Sequence, residues 1–433
     1  MKCVNCGVDN NLKERTANQG KCKNCNHTFA FEPTSSDVKY KFTDPFFHKV
    51  ITDISAKGTL YFTPKQFFYA LERRVSKKNN QMNQWKGCGF FLVFPVTAMF
   101  TAGISLIVGL VIIFINSYLQ SKSQKNRRYV RKGNAKFIQI SGIVILIVGI
   151  LCSVSIKSFP LFVISVILGM TSIYLGTIQI RRIVDATEPF IINQNLFQNW
   201  INRWQQINGT ITNMLPYARR QNAPANLNPD ITAYSFDRVV VCDGAEVAQL
   251  LIANNFHFEN NCAVLSISGY PENIFSTVME MLRRNPNLKV YALHDASPRG
   301  VSLVNHLRTS PNWFLNTDVT IYDLGLLPRQ FIDNSKAFVQ QKEEYAADAR
   351  NLSIDVKRDL TEAEIAWLES GKFIELESFT PQRLLRVVTQ GIAKSCQPDN
   401  LQPDSGGTTF IGADDYGNDN DSGITIFAVD SFG

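Results

Sequence analysis

Three long uncharged apolar runs follow one another in the first half of the chain. The first lies between Lys86 and Lys122, and the other two lie on either side of Lys157. As a helix, each is long enough to cross the hydrocarbon layer of a bilayer, which is about 30 Å thick and needs about 20 apolar residues. The pattern predicts a block of transmembrane helices over residues 87–182 and makes a lipid bilayer one partner of the protein.

Basic residues flank these runs and predict their orientation. The segment Lys122–Lys136 carries seven positive charges, and a short, strongly basic loop stays on the cytoplasmic side. The first run is 35 residues long, which is too long for one untilted span at about 1.5 Å per residue. We therefore expect it to double back near Thr101–Gly103, so that the block crosses the membrane three or four times.

From Arg238 onward, short apolar runs alternate with helical patterns. Strands are predicted over 238–242, 263–267, 289–293 and 319–322, and helices over 245–253, over 273–284 and up to Leu307. This alternation is typical of a parallel sheet with helices on its faces, and ligands of such sheets bind at the carboxyl ends of the strands. The polar residues at those ends are Cys242, Asp243, Ser268, His294, Asp295 and Ser297.

The segment before the apolar runs reads as a small helical module. A helix opening at Thr43–Phe47, a short strand over Thr59–Phe62 and a helix over 65–75 are predicted. Helix, turn, strand and helix in this order are compatible with a winged-helix module. On the last helix, Tyr69 falls beside the apolar stripe, and we expect it to be a half-exposed packing residue.

Weaker patterns cover the rest of the chain. Asn193–Leu215 predicts an amphipathic helix that lies at the membrane interface or packs on a soluble domain. Arg329–Arg350 reads as helical, Thr361–Glu364 is a capping box that starts another helix, and Pro381 lies in the first turn of a third. The tail from Gln397 has seven Asp and no Lys or Arg, so we expect it to be disordered.

The charge of the chain is distributed unevenly. The net charge is +7, but residues 1–136 hold 22 Lys and Arg against 7 Asp and Glu, a net charge of +15, and the remainder carries −8. Basic flanks of membrane spans explain part of this excess. The rest is suited to contact with phosphates, either of anionic lipid or of nucleic acid.

Four of the nine cysteines form one pattern. Cys3 and Cys6 are separated by 15 residues from Cys22 and Cys25, and two such pairs predict a structural zinc site closed by four thiolates. Such a site is typical of a zinc ribbon, a small module that binds nucleic acid or protein. The other five cysteines are scattered, and the first 30 residues lack an apolar core segment. We therefore expect no secretory signal and a reducing compartment, with the soluble domains on the cytoplasmic face of an inner or plasma membrane.

Carboxylates at strand ends are the candidate ligands for a second metal. Asp243 and Asp295 follow the first and third predicted strands, where Mg²⁺ would bind for phosphoryl chemistry. Two carboxylates are a thin supply, and ordinary roles in turns and helix caps account for such residues more often.

The same residues carry a resemblance to a known family. The run Val239–Gly300 resembles a Toprim domain, most closely that of the A subunit of type IIB DNA topoisomerase (topoisomerase VI) and of the related meiotic double-strand-break proteins. The strand ending in Cys242–Asp243, the turn Ser268–Pro271 and the segment Tyr291–Gly300 resemble the three motifs of that family. Thr63–Tyr69 resembles the winged-helix segment in which a tyrosine attacks DNA phosphate.

The resemblance implies a DNA-cleaving site, and it also shows which of the expected acidic residues are replaced. Tyr69 would be the nucleophile and Asp295 a metal ligand, but Cys242 or Asp243 replaces the expected Glu, and Ser297 replaces the second Asp. Mg²⁺ needs charged oxygen ligands, so we expect weak Mg²⁺ binding and no efficient cleavage. The residues that would contact nucleic acid or a nucleotide are Lys65, Arg73, Arg74, Asp243, His294, Ser297 and Arg299.

These expectations define a multidomain membrane protein. Its predicted parts are a zinc ribbon (1–32), a winged-helix-like module (33–82), transmembrane helices (87–182), an amphipathic connector (183–236), a Toprim-like α/β domain (237–328), a helical region (329–396) and the acidic tail (397–433). Three functions are compatible with them. The first is a degenerate, topoisomerase-like protein that binds DNA or a nucleotide, the second is a membrane scaffold for protein partners, and the third is a Mg²⁺-dependent DNA-cleaving transesterase that uses Tyr69.

Overall fold

The computed structural model of the chain describes residues 1–32, 42–76, 114–122, 128–185, 190–218, 237–285, 287–332 and 337–395. Most of the first apolar run, the linker predicted over 221–229 and the acidic tail lie outside these residues. The chain divides into two compact units. One comprises Arg74–Ile191 with Phe331–Gln340, and the other comprises Met1–Arg73, Ile192–Gln330 and the chain from Gln341 onward.

The first 32 residues contain two similar turns, one for each pair of cysteines. Isolated β-bridges close them, Lys2 with Asp9 and Lys21 with Thr28. Helix α1 (Leu12–Ala17) follows the first turn and begins with a capping box. Behind each cysteine pair the backbone enters the left-handed region, with φ of 72° at Gly7 and 55° at Asn26. This conformation folds each pair back on itself and suits glycine and asparagine.

The front module has its two helices where they were predicted. Helix α2 is Asp44–Ile54, and α3 covers residues 64–76. The strand expected over Thr59–Phe62 is wrong, since only one bridge forms there, between Phe62 and Met214. The side-chain amides of Asn213 and Asn254 instead bond the backbone groups of residues 58, 60 and 61, and these groups are therefore satisfied without a ladder.

The apolar unit contains a tightly packed helical hairpin. Residues 114–122 form helix α4, and α5 (Arg128–Ile156) and α6 (Phe159–Asp185) are joined at Lys157. The basic segment expected as a loop over Lys122–Lys136 is helical from residue 128. Within α5 and α6, Gly133–Ser155 and Phe162–Arg182 are long and apolar enough to cross a membrane.

Glycines bring these two helices together. A Cβ atom at Gly142 would lie 2.8 Å from the carbonyl oxygen of Gly169, and one at Gly176 would lie 2.9 Å from the backbone nitrogen of Gln139. Ser172 donates to the carbonyl oxygen of Ile138 across the same contact, at 2.7 Å. Small residues and hydroxyl bonds of this kind let apolar helices approach closely. The outer faces carry exposed Ile, Val, Leu and Met side chains.

Helix α7 (Gln194–Asn208) buries its aromatic face. Of the two placements left open, packing on a soluble domain is the one observed, because Trp200 packs edge-on against Phe42 and Trp204 packs against Phe31 and Phe47. The helix predicted to reach Leu215 ends at Asn208. Gly209 follows with a φ of 82° and donates its N–H to the carbonyl oxygen of Gln205, which ends the helix there.

The four-stranded parallel sheet is confirmed. Its strands are β1 (Arg238–Cys242), β2 (Ala263–Ser266), β3 (Lys289–Leu293) and β4 (Thr320–Asp323), in the order β2-β1-β3-β4. Val240 of β1 lies opposite Val264 of β2 and Tyr291 of β3. Each strand is within one residue of its predicted range, because a buried apolar run bounded by turn residues defines a central strand well.

Helices cover the sheet and bury its apolar residues. They are α8 (Ala245–Ala253), α9 (Phe256–Glu259), α10 (Glu272–Arg283), α11 (Pro298–Val301) and α12 (Leu303–Thr309). Alternate strand residues, such as Val241 and Val290, form one core with Leu282 of α10 and Leu307 of α12. The single helix predicted up to Leu307 is divided, because Ser302 ends α11 and starts α12.

Beyond the sheet the chain is mostly helical. It forms β5 (Gln340–Gln341), α13 (Glu343–Arg350), α14 (Ile354–Arg358), α15 (Glu362–Glu369), β6 (Lys372–Phe373) and α16 (Pro381–Lys394). The capping box at Thr361 and the helix start at Pro381 are confirmed. The long helix expected over Arg329–Arg350 is wrong. Among the described residues of this range, only the last eight are α-helical. The consecutive residues 337–339 are all buried, a pattern that does not suit one face of a helix.

Candidate functional site

The carboxyl edge of the sheet brings two predicted aspartates together. Asp243 is the first residue after β1, and Asp295 is the second residue after β3. The two strands are neighbours in the sheet. The Asp243 carboxylate accepts a hydrogen bond from the backbone N–H of Asp295, at 2.8 Å. The Asp295 carboxylate accepts one from the backbone N–H of Leu376, at 2.6 Å. Each aspartate thus fixes the backbone of a segment that comes from elsewhere in the sequence.

Helix α3 contributes a row of donors to the same region. Thr63 caps the helix, bonding reciprocally with Gln66, and places Lys65 and Tyr69 on one face, four residues apart. The Tyr69 hydroxyl donates to Oε2 of Glu375 at 2.7 Å. The Lys65 ammonium lies 3.1 Å from Oε1 of Glu375.

A second glutamate completes this arrangement. The Thr63 hydroxyl donates to Oε1 of Glu377 at 2.6 Å, and the Lys65 ammonium lies 3.2 Å from Oε2 of the same residue. All four carboxylate oxygens of Glu375 and Glu377 therefore face donors on α3 or at its cap. Charge-assisted bonds of this kind are among the stronger ones in proteins.

Burial and neighbouring charge shift the titration of this cluster. Burial, the charge of Glu375 and the hydrogen bond to it raise the pKa of Tyr69 well above its usual range. Burial, and to a smaller extent the charges of Asp243 and Glu375, raise the pKa of Asp295 well above its usual range. Burial lowers the pKa of Lys65, but Glu377 and Glu375 outweigh it, and the net shift is upward. At neutral pH the site therefore holds a neutral phenol and an ammonium group.

His294 carries a positive charge at neutral pH beside the two aspartates. Its ring is completely buried, with Nδ1 2.8 Å from the carbonyl oxygen of Asp295 and Nε2 3.0 Å from a carboxylate oxygen of Asp323. Since both partners accept hydrogen bonds, both ring nitrogens must donate, and the imidazole is protonated. Burial opposes this charge, but Asp323 and the Asp295 carbonyl outweigh it and raise the pKa of His294 to about 9.

The other predicted contact residues have structural partners. The Ser297 hydroxyl caps α11 by accepting from the N–H of Gly300 at 3.0 Å. Arg299 pairs with Asp348 at 3.1 Å and with Glu344 at 3.4 Å. Arg73 donates to the carbonyl oxygen of Ser378 at 3.3 Å. Arg74 is half-buried on α3.

Tyr69 differs from its expected exposure, and two acidic residues of the site were missed. Only 3% of Tyr69 is exposed, because Glu375 and the sheet edge cover the side of α3 that was expected to face water. Glu375 and Glu377 were not among the candidates, although the segment Ile374–Glu377 alternates apolar and acidic residues. In the structure Leu376–Ser378 forms a short 3-10 helix that follows Glu375, so the period of two of an extended strand would not have placed the two carboxylates.

The four predicted zinc ligands lie together. The Sγ atoms of Cys3 and Cys25 are 3.7 Å apart, those of Cys6 and Cys22 are 3.6 Å apart, and all four lie within 4.8 Å of one another. Four thiolates around one zinc ion at about 2.3 Å lie about 3.8 Å from each other, so the four cysteines could hold a metal ion such as zinc. Among the described residues, the acidic groups at the sheet edge do not form such a ligand set.

The described residues therefore define a class of protein. It has a four-stranded parallel α/β domain, an N-terminal cluster of four cysteines and two helices long and apolar enough to cross a membrane. No protein-family model and no curated protein matches the chain.

Proposed function

We propose that the chain is a membrane-anchored, Toprim-like protein that binds the phosphate groups of nucleic acid or of a nucleotide and does not cleave them efficiently. One observation carries this proposal. Tyr69 is buried and its hydroxyl bonds Glu375, whose neighbour Leu376 donates its backbone N–H to Asp295, and Asp295 donates its backbone N–H to Asp243. If Tyr69 corresponds to the nucleophile of the topoisomerase VI family, it is covered here, which supports binding without efficient cleavage.

The electrostatics of the cluster argue against cleavage. A tyrosine nucleophile attacks as the phenolate, or with a base that removes its proton in the transition state, whereas burial and Glu375 raise the pKa of Tyr69. Mg²⁺ needs several charged oxygen ligands in one place, and the described carboxyls at the sheet edge do not provide them. His294, which is protonated at neutral pH, lies beside the two aspartates instead.

The rest of the molecule supports an anchored, cytosol-facing protein. The hairpin of α5 and α6 exposes apolar side chains along its outer faces, as a helix pair in contact with lipid would. Thiolates that bind zinc persist in a reducing compartment, which favours the cytoplasmic side for the cysteine cluster. A structural zinc ion there would fix the first 32 residues.

The test uses the full chain in detergent micelles or lipid nanodiscs. A fluorescent single-stranded oligonucleotide and a fluorescent nucleoside triphosphate are titrated separately at about 50 and 200 mM salt, and anisotropy is measured. We expect binding that weakens steeply with salt, because phosphate contacts release counterions. Supercoiled plasmid with Mg²⁺ or Mn²⁺ should stay intact. Absence of binding to both probes at low salt would contradict the proposal, and cleavage lost in Tyr69→Phe would favour the transesterase.

A membrane scaffold is the second candidate function, and one observation favours it. Several basic residues of the soluble part are already paired within the chain, including Arg15 with Glu32, Lys23 with Glu14, and Lys65 with Glu375. Paired cations are less available to phosphates. Isolation of the chain from its native membrane with one stoichiometric protein and no nuclease-sensitive material would support the scaffold.

A further inference from the structure

A short segment after β6 is held between the sheet edge and α3. We call this segment, Ile374–Phe379, the clasp. Its first residue pairs with Ala296 in an antiparallel bridge, with N–O distances of 3.0 and 3.1 Å. Its last residue accepts a hydrogen bond from the side-chain amide of Gln66, at 3.1 Å. Both ends of the clasp are therefore fixed, one on the α/β domain and the other on α3.

The clasp turns its two carboxylates toward three donors. These are the Thr63 hydroxyl, the Lys65 ammonium and the Tyr69 hydroxyl, and together they satisfy all four oxygens of Glu375 and Glu377. An ammonium flanked by two hydroxyls is a donor set suited to the oxygens of a phosphate group. The carboxylates occupy the place that phosphate oxygens would take.

We propose that Thr63, Lys65 and Tyr69 form a phosphate-binding site that the chain's own Glu375 and Glu377 fill as an internal competitor. The proposal rests on the proposed function for its ligand class and adds a regulation to it. Two carboxylates against one ammonium leave the closed site negative, so a phosphate is repelled. When the clasp is released, the same donors are free for phosphate.

The exposure of the partners shows where a ligand would enter. The Lys65 side chain is 45% exposed, whereas those of Glu375 and Glu377 are 13% and 7% exposed. Solvent therefore reaches the ammonium but scarcely the carboxylates behind it. A phosphate approaching from solvent meets Lys65 first and competes there with the clasp.

The first test measures the clasp without any ligand. In the full chain in micelles, Glu375→Gln with Glu377→Gln removes both charges and keeps the side-chain size. The matched control is Glu343→Gln with Glu362→Gln, which makes the same charge change at two exposed positions. Acetylation of Lys65, followed by mass spectrometry, should be faster by about tenfold in the clasp variant and unchanged in the control, because the ammonium loses its two charged partners; tenfold corresponds to about 1.4 kcal/mol.

The second test measures phosphate binding with the same variants. A fluorescent single-stranded oligonucleotide should bind about tenfold more tightly to the clasp variant than to the control, and adding Lys65→Gln should remove the gain. Competition by a metal-free nucleoside triphosphate or by unlabelled oligonucleotide identifies which phosphate source the site prefers. A thermal unfolding curve checks that the variants fold, and Glu375→Gln alone serves if the double variant does not.

The outcomes separate this inference from the proposed function. Equal affinities of clasp variant and control, both measurable, would overturn the clasp and leave phosphate binding in place. Binding by the clasp variant alone would support the clasp and contradict phosphate binding by the unaltered chain. If neither binds, both ideas fail, even if Lys65 becomes more reactive.

Discussion

At the scale of single residues, His294 is the most constrained side chain of the site. A Cβ atom at Gly325 would lie 2.3 Å from its ring, and one at Gly300 would lie 3.1 Å from its Nδ1. The two glycines thus allow the chain to close around the imidazolium. Asp323 keeps the ring charged, and the ring in turn lowers the pKa of Asp323 against the effect of its burial. At neutral pH the pair therefore holds a protonated imidazole next to Asp295.

This pair predicts a pH dependence of stability. Because the pKa of His294 is raised to about 9 in the folded chain, its contribution is fully present below its unfolded pKa of about 6.5 and is lost as pH rises through about 9. The loss amounts to about 3 kcal/mol. The unfolding temperature of the full chain in micelles should therefore fall between about pH 6.5 and 9.5, and His294→Gln should be less stable at the lower pH and show a smaller fall. An equal fall in both chains would show that His294 is not the titrating group.

At the scale of elements, local patterns predicted what local forces determine. The capping box at Thr361 and the central strand β3 were found because a hydrogen-bonding motif and an apolar run fix them without distant partners. The strand predicted over Thr59–Phe62 does not form, since Asn213 and Asn254, which lie far along the chain, bond its backbone groups.

The candidate site shows the same division. Asp243, His294 and Asp295 were placed at the sheet edge correctly, because strand ends of a parallel sheet meet there. Glu375 lies about 80 residues beyond Asp295 and 306 residues beyond Tyr69, the residue that it bonds. No periodic pattern links positions so far apart, so only the fold could reveal that they share a site.

The helical hairpin allows a prediction about glycine packing. In a chain carrying Ser141→Cys and Ser172→Cys, whose native hydroxyl oxygens are 3.5 Å apart, mild oxidation should form a disulfide. Gly142→Leu should reduce its yield by roughly half or more, because added atoms would overlap the backbone of Gly169 and Ile173 and force the helices apart. Mass spectrometry after alkylation measures the yield. Gly133→Leu is the control, since a Cβ atom there meets nothing within 4 Å, and equal yields in both would mean that close packing at Gly142 does not hold the hairpin.

At the scale of the whole molecule, the helical hairpin determines how many other crossings the chain needs, if both of its helices span a membrane. Helices α5 and α6 run antiparallel and meet at Lys157, so two crossings return the chain to the side on which it entered. The proposed cytosolic placement of the cysteine cluster and of the α/β domain then requires an even number of crossings before α5. A first apolar run that doubles back, as its length predicts, would supply that even number.

Labelling of introduced cysteines tests this topology. In a chain whose Cys88, Cys152 and Cys396 are replaced by serine, Lys157→Cys places a thiol at the tip of the hairpin and Gly133→Cys places one at the start of the first apolar span; both positions are exposed. If α5 and α6 cross the bilayer, a membrane-impermeant maleimide should label Lys157→Cys in intact cells. It should label Gly133→Cys only after permeabilisation, because a short, strongly basic segment such as the one before it is expected on the cytoplasmic side. Labelling of both thiols from the same side would contradict the two crossings and place the hairpin on one face of the membrane.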